Sequence, residues 1–335
     1  MPSTYYVDPA ATGAADGSSW TDAWTSLQTA ADTATAGDII YCRGTQTLAA
    51  AIDIDTNNGT ASAPIKVIGC NASGAVDGTR FTLNGNSAAT NCIQISAALG
   101  KYWWFVNINC TSATGAGIAL ASNGGDGRIW VNCVSQNNGS YGWDLYTTTT
   151  NGTVVLIGCQ SLNNSNAGFY TPYYGIIYFG CTSIGNSGDG FAGASVANWG
   201  MVIHSVSHNN TGDGVNIPGK GLVFGSVIDE NGGDGIEFSS AAPYIMLALG
   251  NRITGNGTGG TGYGIRETST GLAFYGWNFF LNNDGVTSGD CHSIPYDADA
   301  DTNETSGTEG YTDGDNDDFN LTSSATLRSV AIEID

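Results

Sequence analysis

The chain has 335 residues, with 9 Lys and Arg against 30 Asp and Glu and a formal net charge of −21 at pH 7. This charge argues against general affinity for nucleic-acid phosphates, which needs clustered basic residues, and against an anionic membrane as partner. No apolar run reaches the roughly 20 residues that a membrane-spanning helix needs. Only 12% of residues are charged, 41% are hydrophobic and 49 are Gly, which indicates many short strands joined by tight turns.

The first predicted element is a short N-terminal helix. Ser19 and Asp22 have the spacing of a helix start, and Trp20, Trp24 and Leu27 follow at helical intervals. We expect this helix to cover one end of the fold, because exposed strand edges invite association with other chains.

The middle of the chain repeats one short unit about seven times. Each unit holds an apolar run, a Cys or Ser, a turn that ends in Asn, a Gly-rich corner and a second short strand. Successive closing Asn residues lie 21–27 positions apart, at Asn138, Asn164, Asn186, Asn210, Asn231, Asn256 and Asn283. This period, with β-branched and aromatic strands, predicts an all-β fold: a single right-handed parallel β-helix with a short N-terminal capping α-helix.

Equivalent positions of stacked coils form columns, because neighbouring coils lie about 4.8 Å apart. We expect the repeated Asn residues to form a hydrogen-bonded ladder at one corner. Cys110, Cys133, Cys159 and Cys181 are expected to form an inward column of free thiols, with disulfides between stacked neighbours as the alternative. The near-continuous apolar strands are interpreted as a buried parallel sheet.

Three regions are expected along the chain. Residues 1–45 form the N-terminal cap and first strand, residues 46–295 form the β-helix, and residues 296–335 form an acidic loop followed by a C-terminal capping segment.

Segments 6–9, 24–41 and 63–69 resemble the start of pectate-lyase-like right-handed β-helix proteins. These include enzymes of the alginate lyase and chondroitinase B type and proteins carried by tailed bacteriophages. The resemblance covers most of the chain and implies the fold. The same scaffold hosts lyases, hydrolases, epimerases and inert adhesins, so activity has to be inferred from the site.

The residues that such enzymes use are not gathered in this sequence. The resemblance implies that a lyase would place a Lys or Arg base beside a cation or second basic group, but the nine basic residues show no cluster. A pectin-cleaving hydrolase would show Gly-His-Gly, whereas His204, His208 and His292 have no flanking Gly. The chain is therefore expected to lack catalytic residues and, if it is an enzyme, to be a polysaccharide lyase.

One acidic constellation stands out. Asp189, Asp213 and Asp234 each sit in Gly-Asp-Gly, three residues past a ladder Asn, so they should stack on one edge. Stacked carboxylates repel one another, so they suit a hard cation such as Ca²⁺ or an acid–base pair. Gly-Asp-Gly is also ordinary turn chemistry, and the sequence requires no cofactor.

Aromatic residues offer a second kind of site. Alternate strand residues face outward, so some members of the aromatic runs should be exposed to sugars. The predicted carbohydrate contacts are Tyr170, Tyr173, Tyr174 and Trp103.

Together these features predict a structural or adhesive virion surface protein of bacteriophage type, capsid-decorating or tail-associated. Its partners would be other virion proteins or a cell-surface glycan, not nucleic acid or membrane, and a homo-oligomer is an open alternative. No secretory signal is visible at the N-terminus, which suits a protein made in the host cytoplasm. The alternatives are an extracellular polysaccharide lyase or hydrolase of the pectate-lyase-like superfamily and a bacterial surface adhesin.

Overall fold

The computed structural model describes residues 2–95, 100–120, 127–145, 154–172, 175–194, 199–239, 245–257, 262–267, 272–281, 283, 291–292, 311–313 and 318–321. Within them the chain forms a right-handed parallel β-helix with three long sheets, A, B and C, of 11, 10 and 10 strands. The predicted fold class is confirmed. Within the described residues, no helix has the length and apolar character needed to span a membrane.

Each sheet collects one strand from each successive coil. Sheet A contains β1 (Thr4–Val7), β2 (Ile39–Arg43), β5 (Ile65–Cys70), β8 (Trp103–Val106), β11 (Arg128–Val131), β14 (Val154–Ile157), β17 (Ile176–Phe179), β20 (Trp199–Ile203), β23 (Lys220–Phe224), β26 (Ile245–Leu249) and β29 (Leu272–Gly276). Sheet B contains β3 (Thr45–Thr47), β6 (Phe81–Asn84), β9 (Ile108–Thr111), β12 (Val134–Gln136), β15 (Gln160–Leu162), β18 (Thr182–Ile184), β21 (Val206–His208), β24 (Val227–Asp229), β27 (Arg252–Thr254) and β30 (Phe279–Leu281). Sheet C contains β4 (Ile52–Asp53), β7 (Ile93–Ile95), β10 (Ile118–Leu120), β13 (Trp143–Asp144), β16 (Phe169–Thr171), β19 (Phe191–Gly193), β22 (Val215–Asn216), β25 (Ile236–Phe238), β28 (Ile265–Glu267) and β31 (Cys291–His292).

Two further strands lie towards the C-terminus. β32 (Tyr311–Asp313) and β33 (Asp318–Leu321) pair antiparallel with each other. The C-terminal capping segment predicted within 296–335 otherwise lies outside the described residues.

The Asn ladder is present as predicted. Asn186 is 1% exposed, and its Oδ1 accepts the backbone N–H of Asn164 at 3.0 Å and the Asn164 side-chain amide at 2.9 Å. Its own amide donates to Asn210 Oδ1 at 2.9 Å. The same side-chain bonds link each pair of neighbours from Asn138 to Asn283. The ladder therefore satisfies polar groups that the stacked turns bury.

A second polar column explains part of the Gly-rich corner. Ser183 Oγ donates to the Gly190 carbonyl at 2.9 Å, inside the coil. A Cβ added to Gly168, one coil earlier, would lie 2.1 Å from that same Oγ. Only Gly fits there, because the backbone passes directly over the Ser side chain.

The Cys column is confirmed in part. Cys133, Cys159 and Cys181 stack at the corner between sheets A and B, and Gln160 and Thr182 donate backbone N–H groups to the carbonyls of Cys133 and Cys159. Cys110 does not join them, because it pairs with Ser135 inside sheet B. The seven described cysteines are buried free thiols.

The N-terminal helix begins later than predicted. Helix α1 spans Leu27–Thr33 with Ser26 as its N-cap, and its buried face packs into the core. Trp24 is extended instead, exchanging backbone hydrogen bonds with Tyr6 and Asp8 beside β1. The Ser19–Asp22 pair does form, with Asp22 N–H donating to Ser19 Oγ at 3.1 Å, but it closes a turn.

Candidate functional site

The corner before sheet C brings the three predicted aspartates together. Asp189 Oδ1 accepts the backbone N–H of Asp213 at 2.9 Å, and Asp213 Oδ1 accepts that of Asp234 at 2.7 Å. Asp234 Oδ1 accepts the N–H of Tyr263 at 2.8 Å. The predicted stacking of these aspartates on one edge is confirmed, and each carboxylate keeps its second oxygen for other partners.

The glycines before the second and third stacked aspartates are required by the aspartate of the preceding coil. A Cβ added to Gly212 would lie 2.2 Å from Asp189 Oδ1, and one added to Gly233 would lie 2.2 Å from Asp213 Oδ1. The Gly-Asp-Gly motif is therefore a close-packing requirement in addition to turn chemistry.

Two residues that the sequence did not single out complete the cluster. Asn216 and Glu237 face outward on β22 and β25, and Asn216 Nδ2 donates to Asp213 Oδ2 at 3.1 Å and to Glu237 Oε2 at 2.9 Å. Asp213, Asp234 and Glu237 each offer an oxygen, and these oxygens all lie within 4.8 Å of one another. Two positions after the corner Gly, alternation turns a strand residue outward, and this was the signal for both residues.

A basic residue adjoins this acidic cluster. Arg266 lies on β28 beside Glu237, and its Nη1 is 3.4 Å from Asp234 Oδ2. Asp234 is buried while Arg266 is more exposed. The guanidinium thus neutralises one end of the cluster and leaves Asp213 and Glu237 facing each other.

The protonation of the cluster follows from its burial. Burial first, then the hydrogen bond with Glu237 and the charge of Asp189, raise the pKa of Asp213 to about 8. Burial also raises the pKa of Asp189 and of Asp234, and Arg266 partly opposes the rise at Asp234. Asp213 therefore carries a proton at neutral pH and can donate it in its hydrogen bond with Glu237.

An aromatic pair lies on the same outer face. Tyr170 is on β16, and its ring stacks on Tyr141 with centroids 4.5 Å apart and planes 9° from parallel. Both rings are partly exposed, and Ala192 occupies the next outward position towards Asn216. The outer side of sheet C therefore runs from an aromatic platform over a small residue to the acidic cluster.

The other three predicted carbohydrate contacts are not found on this face in the described residues. Trp103 is completely buried and its Nε1 donates to the Asn57 carbonyl at 3.0 Å, so the prediction of a surface role for Trp103 is wrong. Alternation turns Trp104 outward instead, where Lys66 Nζ lies 5.2 Å from its ring centroid. Tyr173 and Tyr174 lie outside the described residues.

A second group of titratable residues lies on sheet B. His208 Nδ1 is 3.2 Å from Asp229 Oδ2, and His208 Nε2 is 3.9 Å from Glu230 Oε2. Thr254 also donates to the Asp229 carboxylate. Sequence reasoning missed this cluster because its members come from neighbouring coils. It lies on the outer side of sheet B, away from the aspartate corner.

The arginines of the early coils contact the protein itself. Arg43 Nε is 2.7 Å from Asp8 Oδ2 and its guanidinium lies 4.5 Å from the Trp20 ring centroid. Arg80 Nε donates to the Asn132 carbonyl at 2.8 Å. Arg43 and Arg80 line the same groove beside the first strands of sheet B, together with Asp8 and Thr82.

Comparison with known proteins supports the fold. No protein-family model matches the chain, and a comparison with curated proteins finds no match either. Among solved structures, pectate lyase Pel9A is similar with a TM-score of 0.69 and 18% identity, covering 97% of this chain and 89% of that one. Alginate lyase from Paenibacillus sp. str. FPU-7 is similar with a TM-score of 0.52 and 14% identity, covering 86% of this chain and 97% of that one. The chain therefore has the pectate-lyase-like β-helix fold.

Proposed function

We propose that this protein binds an extended glycan along the outer side of sheet C and serves as an adhesive rather than as an enzyme. The observation that carries this proposal is the alignment of the Tyr141–Tyr170 stack with the acidic cluster on one face. From Tyr170 to Glu237 there are three coil steps, or about 14 Å along the axis. Sugar rings stack on aromatic faces, and carboxylates and amides bind sugar hydroxyls, so the row suits a chain of several sugars.

The net charge of −21 shapes which glycan fits. A bare polyanion is repelled by this face, whereas a neutral glycan is not. We also propose that Asp213, Asp234 and Glu237 can hold Ca²⁺, because their converging carboxylate oxygens are the ligands that this ion prefers. Metal binding must displace the proton that Asp213 carries, so the affinity for Ca²⁺ rises as the pH approaches 8.

The setting that we propose is the surface of a bacteriophage-type particle. Two features support it: a rod whose strands are paired along its described length, and buried free thiols that need no oxidising compartment. Peptide mass spectrometry of purified particles from the source sample tests this proposal. Absence from the particles would leave glycan binding as the proposal and remove the virion setting.

Glycan cleavage is the second candidate function. It is favoured by the raised pKa of Asp213 beside the Glu237 carboxyl, because a carboxyl that holds its proton near neutral pH can act as a general acid. We expect no cleavage of uronic-acid polymers. Unsaturated product absorbing in the ultraviolet, lost on Arg266→Ala, would make the protein a lyase and overturn the adhesive role.

A glycan panel tests the main proposal. Acidic and neutral polysaccharides are screened for binding to the wild-type chain, to Tyr170→Ala and to Trp104→Ala, the matched control on sheet A. We expect Tyr170→Ala to weaken binding at least about tenfold, as is typical of an aromatic anchor, and Trp104→Ala to leave it unchanged. Equal losses in both variants, or no binding partner in the panel, count against the site.

Thermal melting at pH 8 tests the cation separately. A bound ion stabilises the folded state, so Ca²⁺ should raise the Tm of the wild-type chain and not that of Asp213→Asn or Glu237→Gln. An equal rise in all three proteins would locate the ion elsewhere.

A further inference from the structure

The outer side of sheet A is apolar along most of its length. From β8 to β26, two outward positions in each strand are uncharged in every coil, in contrast to the acidic outer side of sheet C. We call these fourteen residues the A face: Trp104, Val106, Ile129, Val131, Val155, Ile157, Ile177, Phe179, Met201, Ile203, Leu222, Phe224, Leu247 and Leu249.

The A face is in contact with solvent. Phe179 is 47% exposed, Phe224 is 41% exposed and Ile157 is 39% exposed, while the other members are partly exposed. Single exposed apolar residues are ordinary on a protein surface, but here they are contiguous over seven strands. Phe274, at 50% exposure, continues the face into β29.

The size of the A face matches an interface rather than a small-molecule site. Eight strands at about 4.8 Å spacing and about 16 Å of strand length give a projected area on the order of 500 Å². Patches of this size mark interaction sites, and a standard interface buries about 800 Å² on each partner. Rim residues such as Trp277, 45% exposed, and Ile245, 51% exposed, extend the area towards that value.

We propose that the A face docks against the A face of a second copy of this chain, forming a two-fold symmetric dimer. Sheets pack face to face when side-chain rows of equal spacing interdigitate about 10 Å apart, and a second copy supplies the same spacing. The net charge of −21 opposes contact between copies over the rest of the surface, whereas the A face carries no charge. A self-complementary patch of this kind is the usual basis of two-fold assembly.

The chain's own C-terminal segment is a poorer occupant. Residues 293–335 contain eleven Asp and Glu, and an acidic segment of that composition does not match an uncharged apolar surface. The dimer requires no glycan and no cation, so its failure and the failure of the proposed function are separate results.

Sedimentation equilibrium of the full chain tests the dimer. We expect a mass of about twice 34.4 kDa for the wild-type protein. The double variant Phe179→Asp and Phe224→Asp should raise the dissociation constant at least about tenfold, because it puts two pairs of like charges into the interface.

The double variant Leu162→Asp and Ile184→Asp is the matched control, with the same added charge at partly exposed positions of sheet B. It should dimerise like the wild-type protein, and circular dichroism checks that both variants fold. A monomeric full chain overturns the proposal, as does a dimer that sheet B charges weaken and A face charges do not. Monomers that float with neutral phosphatidylcholine vesicles would assign the A face to lipid instead and would also overturn it.

Discussion

Two columns of stacked side chains lie at the same corner of the β-helix: the Asn ladder, here called the Asn column, and the Asp column of Asp189, Asp213 and Asp234, three residues further along each coil. The two columns differ in how their side chains bond to the next coil. Asn186 both accepts from Asn164 and donates to Asn210, so its amide continues the chain of hydrogen bonds. Asp213 accepts the backbone N–H of Asp234, but its side chain has no N–H group with which to continue the column as an amide does.

This difference decides where chemistry arises. The neutral Asn column can be buried completely, because each amide hydrogen-bonds to its neighbours and no charged group has to leave water. The Asp column brings carboxyl groups close together instead. Their mutual repulsion is reduced by the raised pKa of Asp213 and by the ion pair of Asp234 with Arg266. Repeated stacking thus yields a rigid scaffold from one residue type and a reactive edge from the other.

Putting a charge into the Asn column should have the largest effect. Asn186→Asp keeps the shape but removes the donor to Asn210 and places an unpaired carboxylate at a site that is 1% exposed. We expect a loss of about 3–5 kcal/mol in the free energy of unfolding at pH 8, with a smaller loss at pH 4, where the carboxyl is neutral. Urea unfolding at both pH values checks this, and a loss independent of pH would contradict the charge explanation.

Removing one Asn side chain should have the next largest effect. Asn186→Ala leaves the buried backbone N–H of Asn164 without its acceptor and removes one of the three acceptors of the Asn164 side-chain amide, at a cost of about 1–3 kcal/mol in the free energy of unfolding. Thr182→Ala, at a partly exposed position of sheet B, is the control and should change it by less than about 0.5 kcal/mol. Equal urea midpoints for the Asn186 variant and the wild-type chain would mean that the ladder adds no stability.

Removing the charge from the Asp column should stabilise the protein at alkaline pH. The folded-state pKa of Asp213, about 8, lies above its ordinary value of 3.8. The stability that Asp213 contributes is therefore full below pH 3.8 and is lost as the pH rises towards about 8. Asp213→Asn keeps the acceptor for Asp234 and avoids this loss, so the Tm of the variant minus that of the wild type should grow between these pH values. A difference that stays constant over this range would show that Asp213 is ionised throughout.

The smallest expected effect is that of Asp189→Asn. The amide oxygen still accepts the Asp213 N–H, but the charge that helps to raise the pKa of Asp213 is gone. We expect the pKa of Asp213 to fall while the Tm changes little. Carbon-13 NMR titration of the Asp213 carboxyl measures the change, and an unaltered pKa would place the whole cause in burial and Glu237.

Local regularity made much of the molecule predictable. The 21–27-residue period placed equivalent residues one above another, and from this alone the β-helix, the Asn ladder and the stacked aspartates follow. Each of these depends only on repetition, because an in-register coil turns one sequence position into a column. The Gly beside each Asp was predicted as a turn residue. At Gly212 and Gly233 the structure adds a second reason, the carboxylate of the preceding coil, which the sequence did not show.

Where the repeat is irregular, only the tertiary structure decides. Cys110 precedes the regular coils and joins the register of Ser135, and Trp24 is extended because it pairs beside β1. The strands of sheet A are apolar at both their inward and their outward positions. From the sequence, burial of both sides was therefore the natural interpretation. In the structure only the inward side chains of these strands are buried, and the outward ones are in contact with solvent. Alternation says only that neighbouring strand residues face opposite sides. The winding of the whole chain decides that Trp103 and not Trp104 lies inside, and that Glu237 lies beside Asp213 of the preceding coil.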